Sequence, residues 1–464
     1  MSGGETLVSS RGALHMGRLP LEGLRVVDST YIFAMPYAAS IMADLGAEVI
    51  KIEGPAHTDP IRRGNTSSFP DHDPGEDFWN RAGSFNLLNR GKRSLTLDLS
   101  QERGRDVLRQ LLKVSDVFLE NYTPRVLQRW GLTYPDVSRI KPDIIMVSNT
   151  GYGHGNGPWS LYPAQATTQE ATHGHAHITG YRGEEPSKAG NAFVDFLACW
   201  SALLGVSTAL HNRHRTGKGQ WVDIGMYQLG TYCTSEYLLD WVANGRLGQR
   251  IGNRHPWKAP QGCYRCKGDD DWCVLSVGTD QEWLGLCMAM EQQDLINDPR
   301  FMTPLLRANN HDEIDDIISL WTKDFGKYEI MERLQNAGVP AAPIFHNGDY
   351  NLSPHYKERG FLEWVAFPEE RQMGTRVLMG RPWQLNKTPI RIQRPAAKLG
   401  EDNDDILGRL LDIDEITRVE MMADEITSEW PLDAQNVYHL TAEQQERRGT
   451  VDFHDPSYKE KLGI

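Results

Sequence analysis

The stretch LRVVDSTYIFAMPYAASIMADLGAEVIKIE, residues 24–53, decides the fold of this chain. It opens on a short apolar run at 24–28, continues with apolar residues at helical spacing over 36–45, and closes on a second apolar run at 48–53. Short apolar runs separated by a helix-spaced segment indicate a strand, a helix and a strand in that order. The stretch therefore predicts a parallel crossover unit, in which the helix returns the chain to start the second strand beside the first.

The same alternation continues downstream. Strand patterns occur at 94–98, 117–120 and 143–149, and a helical pattern at 101–114 separates the first two. Strands that alternate with helices form a parallel sheet covered on both faces. The sequence thus predicts an α/β fold, in which a large Rossmann-like domain with an open parallel sheet is followed by a smaller α/β domain.

The turn after the first predicted strand excludes one common use of this fold. Residues 30–36 read TYIFAMP and contain no glycine. Dinucleotide-binding turns need glycines there, because only bare backbone can approach the pyrophosphate closely. A later glycine-rich run at 151–158 ends in proline and is typical of a loop. We therefore expect no dinucleotide site at the first turn.

Charge and composition exclude two further classes of partner. The chain of 464 residues has a formal net charge of −13, whereas broad nucleic-acid binding draws its affinity from clustered cations. We expect no window of the roughly 18 uncharged apolar residues that a membrane span requires. We expect neither nucleic acid nor membrane as a partner.

Changes in composition divide the chain into four parts. Residues 1–18 are small and polar without an apolar export core, so they predict a disordered extension of a cytoplasmic protein whose six cysteines are free thiols. Residues 19–225 are expected to form the large domain and 226–345 the small domain. The proline-dense segment 337–343 is the expected linker out of the small domain. Residues 346–464 are predicted to return to the large domain.

Three motifs in fixed order carry a resemblance. They read ADLGAEVIKIEGP, SDVFLENYTPRVLQRWGL and FVDFLACWSALLGVSTALHNRHRTGKGQWVDIGMYQ, and with their surroundings they resemble the family III coenzyme A (CoA) transferases over about residues 19–412. The resemblance implies subunits with a large Rossmann-like and a small domain, threaded through one another as an interlocked dimer. It implies a homodimer, or a hetero-oligomer with a homologous subunit.

The resemblance also implies a catalytic residue, Asp195. An acid in the first turn of a helix is otherwise explained by the helix dipole alone. With a reference pKa of about 3.9, an aspartate is ionised at neutral pH and needs no neighbouring base to act as a nucleophile. The implied reaction passes through a mixed anhydride and an aspartyl-CoA thioester. It uses CoA thioesters as substrates and requires neither a permanently bound cofactor nor a metal, and Gly153 and Gly190 are candidate oxyanion donors.

Carried over by position, the resemblance assigns residues to the CoA-binding cleft. The assigned residues are Phe33, Ala34, Asn89, Arg90, Lys92, Asn121, Tyr122, Arg129, Tyr152 and Gly153. The sequence departs from the formyl-CoA enzymes at Gly54 and Thr150, where those enzymes have a basic residue, so the phosphate contacts are left open.

Two reactions related to this fold remain as alternatives. In acyl-CoA racemases a histidine before the aspartate acts as a base, but Gln165 stands at that place here and has no suitable pKa. An intramolecular CoA transfer would have the same sequence pattern.

Metal binding is a hypothesis from another class. His173, His175 and His177 alternate, so one face of a strand could present three imidazoles; a polar loop explains them equally. Cys263 and Cys266 form a single Cys-x-x-Cys pair, which is short of the four ligands of a structural zinc site.

The substrates are inferred by analogy. Succinyl-CoA is the expected donor. Aromatic residues around Asp195, among them Trp159, Tyr162, Tyr181 and Trp200, suit an aromatic or dicarboxylic acceptor such as benzylsuccinate, although ordinary core packing explains them as well.

Overall fold

The computed structural model describes residues 19–63, 69–155, 157–190, 193–432 and 440–464. The predicted extension at 1–18 lies outside these residues. The chain forms two compact units: the first takes its described residues from Met1–Gln169, Ala192–Leu229 and Pro354–Ile464, and the second from Glu170–Asn191 and Gly230–Ser353.

The strands are numbered in chain order. They are β1 (Arg25–Ser29), β2 (Glu48–Glu53), β3 (Arg93–Thr96), β4 (Val117–Glu120), β5 (Ile145–Thr150), β6 (Gln220–Gly225), β7 (Gln261–Arg265), β8 (Trp272–Ser276), β9 (Ala341–Pro343), β10 (Leu362–Ala366) and β11 (Thr375–Met379).

The α-helices are numbered in the same way. They are α1 (Ala34–Asp44), α2 (Phe78–Arg81), α3 (Gly83–Leu88), α4 (Glu102–Lys113), α5 (Pro124–Trp130), α6 (Tyr134–Ile140), α7 (Ala166–Thr172), α8 (His175–Ile178), α9 (Phe193–Thr216), α10 (Met226–Cys233), α11 (Ser235–Asn244), α12 (Asp280–Ala289), α13 (Pro304–Asn309), α14 (His311–Thr322), α15 (Lys327–Asn336), α16 (Asn347–Leu352), α17 (Pro354–Glu358), α18 (Glu415–Ala423), α19 (Ala442–Arg447) and α20 (Tyr458–Leu462). Short 3-10 turns lie at Pro60–Arg62, Pro70–His72, Gln293–Asn297 and Glu369–Arg371, and a π-helical turn lies at Asp405–Leu410.

The first unit is built on a six-stranded parallel sheet in the order β3-β2-β1-β4-β5-β6. Val26 of β1 pairs with Val49 of β2 on one side and with Val117 of β4 on the other. The strand order therefore reverses between β1 and β4. In open α/β sheets, ligands bind at the carboxyl ends of the strands at this switch point. The predicted Rossmann-like α/β fold is confirmed.

Strands β1, β2, β4 and β5 of the sheet are buried on both faces, whereas β6 is partly exposed. Val26 and Val147 belong to the core on one face, beneath α1 and α9. Their neighbours Val27 and Met146 point the other way, into a second core against α4. Successive residues of a strand alternate between faces, so a strand without polar residues requires cover on both sides.

Helix α9 corrects one expectation from the sequence. Its 24 residues are long and apolar enough to cross a membrane, so the expectation that no such window exists was wrong. The helix packs against α1 and against β5 and β6, and small residues such as Ala198 and Ala202 fill that contact. One side of the helix is buried in this contact, and a single helix of this kind is weak evidence for a membrane span.

The carboxyl-terminal part of the chain returns to the first unit and covers the β3 edge of the sheet. The Ser94 amide donates to the Asp402 side chain at 2.9 Å, and the Asp402 amide donates back to the Ser94 carbonyl at 3.1 Å. The Thr96 amide donates to Asn403 Oδ1 at 2.9 Å. Backbone groups of β3 that an edge strand leaves unpaired are thereby satisfied.

The second unit has its own sheet and core. Strands β7, β8 and β9 form an antiparallel sheet, and a core including Trp283, Phe301 and Ile318 packs against it. The segment 337–343, which the sequence predicts as a linker, contains β9, whose Ala341 pairs with Leu275 of β8. The linker prediction is wrong because β9 is an edge strand, where proline is tolerated.

Candidate active site

The loops that follow β1 and β4 meet at the switch point. The Asn121 side chain, directly after β4, accepts a hydrogen bond from the Tyr31 amide at 3.0 Å and donates one to the Tyr31 carbonyl at 2.9 Å. The backbone of Tyr31 is therefore held on both sides by one amide side chain. Helix α1 begins three residues later at Ala34, so its amino terminus lies at the carboxyl edge of the sheet.

Asp195 lies in the first turn of α9, within the same unit. The backbone amides of Ala34 and of Asp195 itself act on its carboxyl and lower its pKa. Burial raises the pKa of Asp195 to about 6, and the two amides oppose this rise only in part. Among the described residues no charged side chain contributes to the shift. At pH 7 a carboxyl with this pKa is still about nine-tenths ionised, so Asp195 is a carboxylate without a counter-charge.

Aromatic side chains pack around the first turns of α9. Tyr37 of α1 packs edge-on against Phe196 and Trp200, with ring centroids 5.8 and 6.0 Å apart. One turn further along α9, burial raises the pKa of the Cys199 thiol to about 12. The reference pKa that the sequence suggested for Asp195 was too low, because the burial that raises it arises only in the folded unit.

Arg90, predicted to line the phosphate region, is fully buried in the first unit. Its guanidinium donates to the Asp44 carboxylate at 2.9 Å and to the Leu87 carbonyl at 2.8 Å. It also lies over the Tyr37 ring, 5.4 Å from the centroid. These contacts occupy the guanidinium with protein groups.

Lys92 and Asn89, assigned to the same region, bind each other. The Lys92 ammonium donates to Asn89 Oδ1 and to the Asp28 carboxylate, both at 2.7 Å. Burial lowers the pKa of Lys92 to about 8, although Asp28 opposes the shift. Both side chains belong to a buried polar network behind the ends of β1 and β3.

Phe33, Tyr122 and Arg129 lie at or near the switch point. Phe33 directly precedes α1 and is half-buried. The Tyr122 hydroxyl is 2.9 Å from Ser29 Oγ, and burial raises the pKa of Tyr122 to about 12. Arg129 is exposed on α5. Among the three cationic residues assigned to the CoA-binding cleft, Arg90 and Lys92 are buried, and Arg129 has an exposed side chain.

The loop after β5 contains the last of the assigned residues. Tyr152 packs against Trp159 and Tyr227, with centroids 5.6 and 5.9 Å away. Gly153 has φ of +79°, a left-handed conformation that glycine adopts without strain. Gly54 and Thr150, the two departures from the formyl-CoA enzymes, directly follow β2 and end β5.

Three polar residues near this loop were missed from the sequence. The His154 amide donates to both oxygens of the Asp223 carboxylate, at 2.9 and 3.1 Å, and burial raises the pKa of Asp223. His154 Nε2 lies 3.7 Å from a carboxylate oxygen of Glu120 at the end of β4. Acids at the ends of β4 and β6 were the available signal, because parallel strands bring their carboxyl ends to one edge.

The histidine-rich segment in the second unit is helical, so its interpretation as a strand face is wrong. His175 and His177 lie in α8, and His173 follows α7, with its ring packed against Gly230. Within the described ranges, no three His, Cys, Asp or Glu side chains are arranged to hold a metal ion. All six cysteines, including Cys263 and Cys266, are free thiols.

The fold and this site define a class: a Rossmann-like α/β protein with an unpaired carboxylate beside the amino terminus of α1. A family model for CoA-transferase family III matches residues 21–403, and the chain belongs to that family. It is therefore a CoA transferase.

Two relatives and one solved structure illustrate the similarity. The chain is 32% identical to succinyl-CoA–D-citramalate CoA-transferase of Chloroflexus aurantiacus, over 85% of this chain and 95% of that protein. It is 31% identical to the succinyl-CoA–L-malate CoA-transferase alpha subunit of the same organism, over 87% and 92%. A CaiB/BaiF family protein from Brucella suis has a similar structure, with a TM-score of 0.76 and 29% identity over 85% of this chain and 100% of that one.

Proposed function

We propose that this CoA transferase moves CoA from succinyl-CoA to a second, dicarboxylic acid through a covalent intermediate on Asp195. One observation carries the proposal: Asp195 is partly buried at the start of α9, burial raises its pKa to about 6, and among the described residues no charged side chain contributes to that shift. The names of the two Chloroflexus relatives support succinyl-CoA as donor.

In the first half-reaction an Asp195 oxygen attacks the thioester carbonyl. The C–S bond breaks, CoA leaves as a thiolate, and a mixed anhydride joins Asp195 to the succinyl group. The thiolate then attacks the Asp195 carbonyl carbon. The anhydride C–O bond breaks, succinate leaves, and Asp195 carries CoA as a thioester.

The second half-reaction reverses these steps with the acceptor. A carboxylate of the acceptor attacks the Asp195 thioester and releases the CoA thiolate, which leaves an anhydride between Asp195 and the acceptor. The thiolate attacks the acceptor carbonyl, so the new acyl-CoA forms and Asp195 returns as a carboxylate. One thioester is consumed and one is made, so the transfer requires no further energy source.

The Ala34 amide has a defined role in this scheme. When the thiolate attacks Asp195, one Asp195 oxygen becomes an oxyanion, and a backbone amide aimed at that oxygen stabilises it by about 3 kcal/mol. The Ala34 amide already acts on that carboxylate in the resting protein. Gly153, in the first unit with Asp195, remains a proposed donor for the oxyanion on the substrate carbonyl, whereas Gly190 belongs to the second unit.

We place CoA along the assigned cleft, with Arg129 as the exposed cation for a phosphate. Phe33, Tyr122 and Tyr152 would line the nucleotide and pantetheine. Because Arg90 and Lys92 are buried in ion pairs, we propose that they support the cleft from behind and do not bind phosphate directly.

The acceptor is proposed to be a bulky dicarboxylic acid. Phe193 and Phe196, on either side of Asp195 in sequence, are 36% and 37% exposed, so aromatic surface is available next to the nucleophile. An aromatic succinate such as benzylsuccinate fits this surface, and malate and citramalate are the smaller acids to compare with it.

We also propose that the active enzyme is an interlocked dimer, either of identical chains or with a homologous subunit, in the cytoplasm. The alpha-subunit name of one relative supports a hetero-oligomer as the second form to test.

Chemical trapping tests the covalent step. The protein is incubated with succinyl-CoA and quenched with hydroxylamine, which converts an aspartyl thioester to a hydroxamate and releases CoA. We expect peptide mass spectrometry to find the hydroxamate at Asp195, and to find none after incubation with CoA alone. Asp280→Asn is the matched control, because Asp280 also lies in the first turn of a helix but in the second unit. It should leave the labelling of Asp195 intact.

Absence of label at Asp195 in protein that transfers CoA would contradict the mechanism. Exchange of the acyl α-proton without CoA transfer would indicate the racemase. Transfer between two carboxylates of one substrate, without exchange into added acid, would indicate the intramolecular enzyme.

A further inference from the structure

Ile32, two residues before α1, has an unusual backbone conformation. Its φ is +72°, in the left-handed region. A β-branched side chain is strongly disfavoured there, so the surrounding structure must hold the residue in place. The β1–α1 turn, residues 30–33, is therefore not a conformation that its own sequence prefers.

The groups that hold this turn come from the loop after β2. The Ile32 amide donates to the two oxygens of the Asp59 carboxylate, at 3.1 and 3.3 Å. Asp59 is paired with the Lys51 ammonium at 3.0 Å, and the same ammonium donates to the Thr30 carbonyl. Lys51 and Asp59 thus bind the turn at two backbone positions.

Asp59 is itself fixed from behind. Its amide donates to a Glu53 carboxylate oxygen at 3.0 Å, and Glu53 is paired with Arg62 at 2.8 Å. All these side chains are buried. The Asp59 carboxylate therefore has little freedom to follow Ile32, and Ile32 must adapt to it.

The held turn leads directly to the reactive carboxylate. Two residues after Ile32, Ala34 opens α1, which packs against α9 with the Tyr37 and Phe196 ring centroids 5.8 Å apart, and the Ala34 amide lowers the pKa of Asp195. Because a peptide unit is planar, the conformation of Ile32 sets the direction in which the next amides point. A relaxed Ile32 would redirect the Ala34 amide away from the carboxylate.

We propose that Asp59, supported by Lys51, is a positioning residue that holds Ile32 in the left-handed conformation and so aims the Ala34 amide at Asp195. The inference rests on the proposed covalent role of Asp195. It assigns Asp59 a function in turnover beyond capping the 3-10 turn at Pro60–Arg62.

Two variants and a rescue test this role. Asp59→Asn removes the charge, and Asp59→Glu keeps a charge for Lys51 but moves it by one methylene. We expect either variant to lower kcat by between about tenfold and a hundredfold with little change in KM, since a misdirected donor acts mainly in the transition state. If Asp59→Asn does not fold, Asp59→Glu carries the test.

Ile32→Gly supplies the rescue. Glycine adopts positive φ without being held, so adding Ile32→Gly to either Asp59 variant should recover several-fold of the lost kcat. A capping or stability role of Asp59 predicts no recovery. Absence of rescue together with normal labelling of Asp195 would overturn the inference.

The acid limb of the pH profile gives a second readout. Loss of the Ala34 interaction should move the limb to higher pH, because that interaction favours ionised Asp195. The other titratable groups nearby are Tyr37 on α1 and Cys199 on α9, and Arg90 and Lys92 act on Cys199. An unshifted limb in both Asp59 variants would contradict the inference, whereas transfer by Asp195→Asn would contradict the proposed function itself.

Discussion

Two carboxylates of the first unit have opposite surroundings. Glu53, at the end of β2, is fully buried and accepts three hydrogen bonds from the Arg62 guanidinium at 2.8–3.1 Å. Burial alone would raise the pKa of Glu53, but Arg62 and Lys51 outweigh it and lower the pKa below its usual value. Asp195, at the start of α9, has amide donors and no cation, and its pKa is raised.

The difference separates a structural carboxylate from the proposed nucleophile. The carboxylate oxygens of Glu53 are hydrogen-bonded to the buried Arg62 guanidinium, so Glu53 has no free electron pair with which to attack a substrate. Asp195 keeps its charge and its lone pairs, at a cost in stability that the rest of the unit offsets. Perturbed carboxyls without a partner are frequent at functional sites for this reason.

The largest expected effect is on turnover. Asp195→Asn should reduce CoA transfer from succinyl-CoA by about a thousandfold or more, because an amide cannot form the anhydride. Circular dichroism should show an unchanged fold. A rate within tenfold of the unsubstituted protein would remove the distinction between the two carboxylates.

The next effect is on stability and falls on the other carboxylate. Glu53→Ala leaves the Arg62 charge buried and unpaired, and should lower the free energy of unfolding by about 3–5 kcal/mol. Urea denaturation measures this change. Glu102→Ala removes an exposed partner of Arg105 and Arg109 and is the matched control, with no measurable shift expected. Equal effects of the two substitutions would contradict the structural role of Glu53.

The pH dependence sharpens the comparison further. In the proposed mechanism only ionised Asp195 attacks, so kcat/KM should fall about tenfold per pH unit below pH 6, near the pKa of Asp195. Glu53, with its lowered pKa, stays ionised throughout this range. Initial rates in buffers of constant ionic strength between about pH 5 and 7 would show this fall in kcat/KM. A profile that is flat down to pH 5 would mean that the pKa of Asp195 is not raised.

The smallest effect is the stability cost of Asp195 itself. Its pKa is higher folded than unfolded, so its ionised form is disfavoured in the fold. Below about pH 4 both states are protonated and the residue contributes nothing; above about pH 6 the full penalty applies. Asp195→Asn should therefore raise the free energy of unfolding above pH 6 by on the order of 1 kcal/mol. This figure is smaller than the full value of the pKa shift because Asp195 is partly exposed to solvent. Urea titrations at pH 4 and pH 7 test this, and a loss of stability at pH 7 would contradict it.

Much of the fold could be predicted from the sequence because the central strands of the parallel sheet are rich in apolar residues. The predicted strands at 48–53 and 117–120 coincide with β2 and β4, and the predicted helix at 101–114 differs from α4 by one residue at each end. Strand β9 could not be predicted, because Pro343 within it and Pro340 before it are compatible with an edge strand only once the partner strand is known.

The site was less predictable than the fold. Asp195 was assigned through a family resemblance, whereas its raised pKa depends on its burial in the folded unit. The left-handed conformation of Ile32 leaves no trace in sequence, because isoleucine itself would predict the opposite. Arg90 and Lys92 show a second limit of the sequence. A cluster of basic residues in the sequence does not tell whether the side chains bind phosphate or form buried ion pairs.

The cover on the β3 edge has a consequence for how the protein is made. The Thr96 hydroxyl donates to the Ser428 carbonyl, so a strand synthesised early is completed by residues synthesised 332 positions later. At a translation rate of about 5–20 residues per second, the growing chain carries an unprotected sheet edge for roughly 15–70 s. During that interval a nascent chain on one ribosome can pair with its neighbour on the next, and chaperones that shield exposed strands act in the same period.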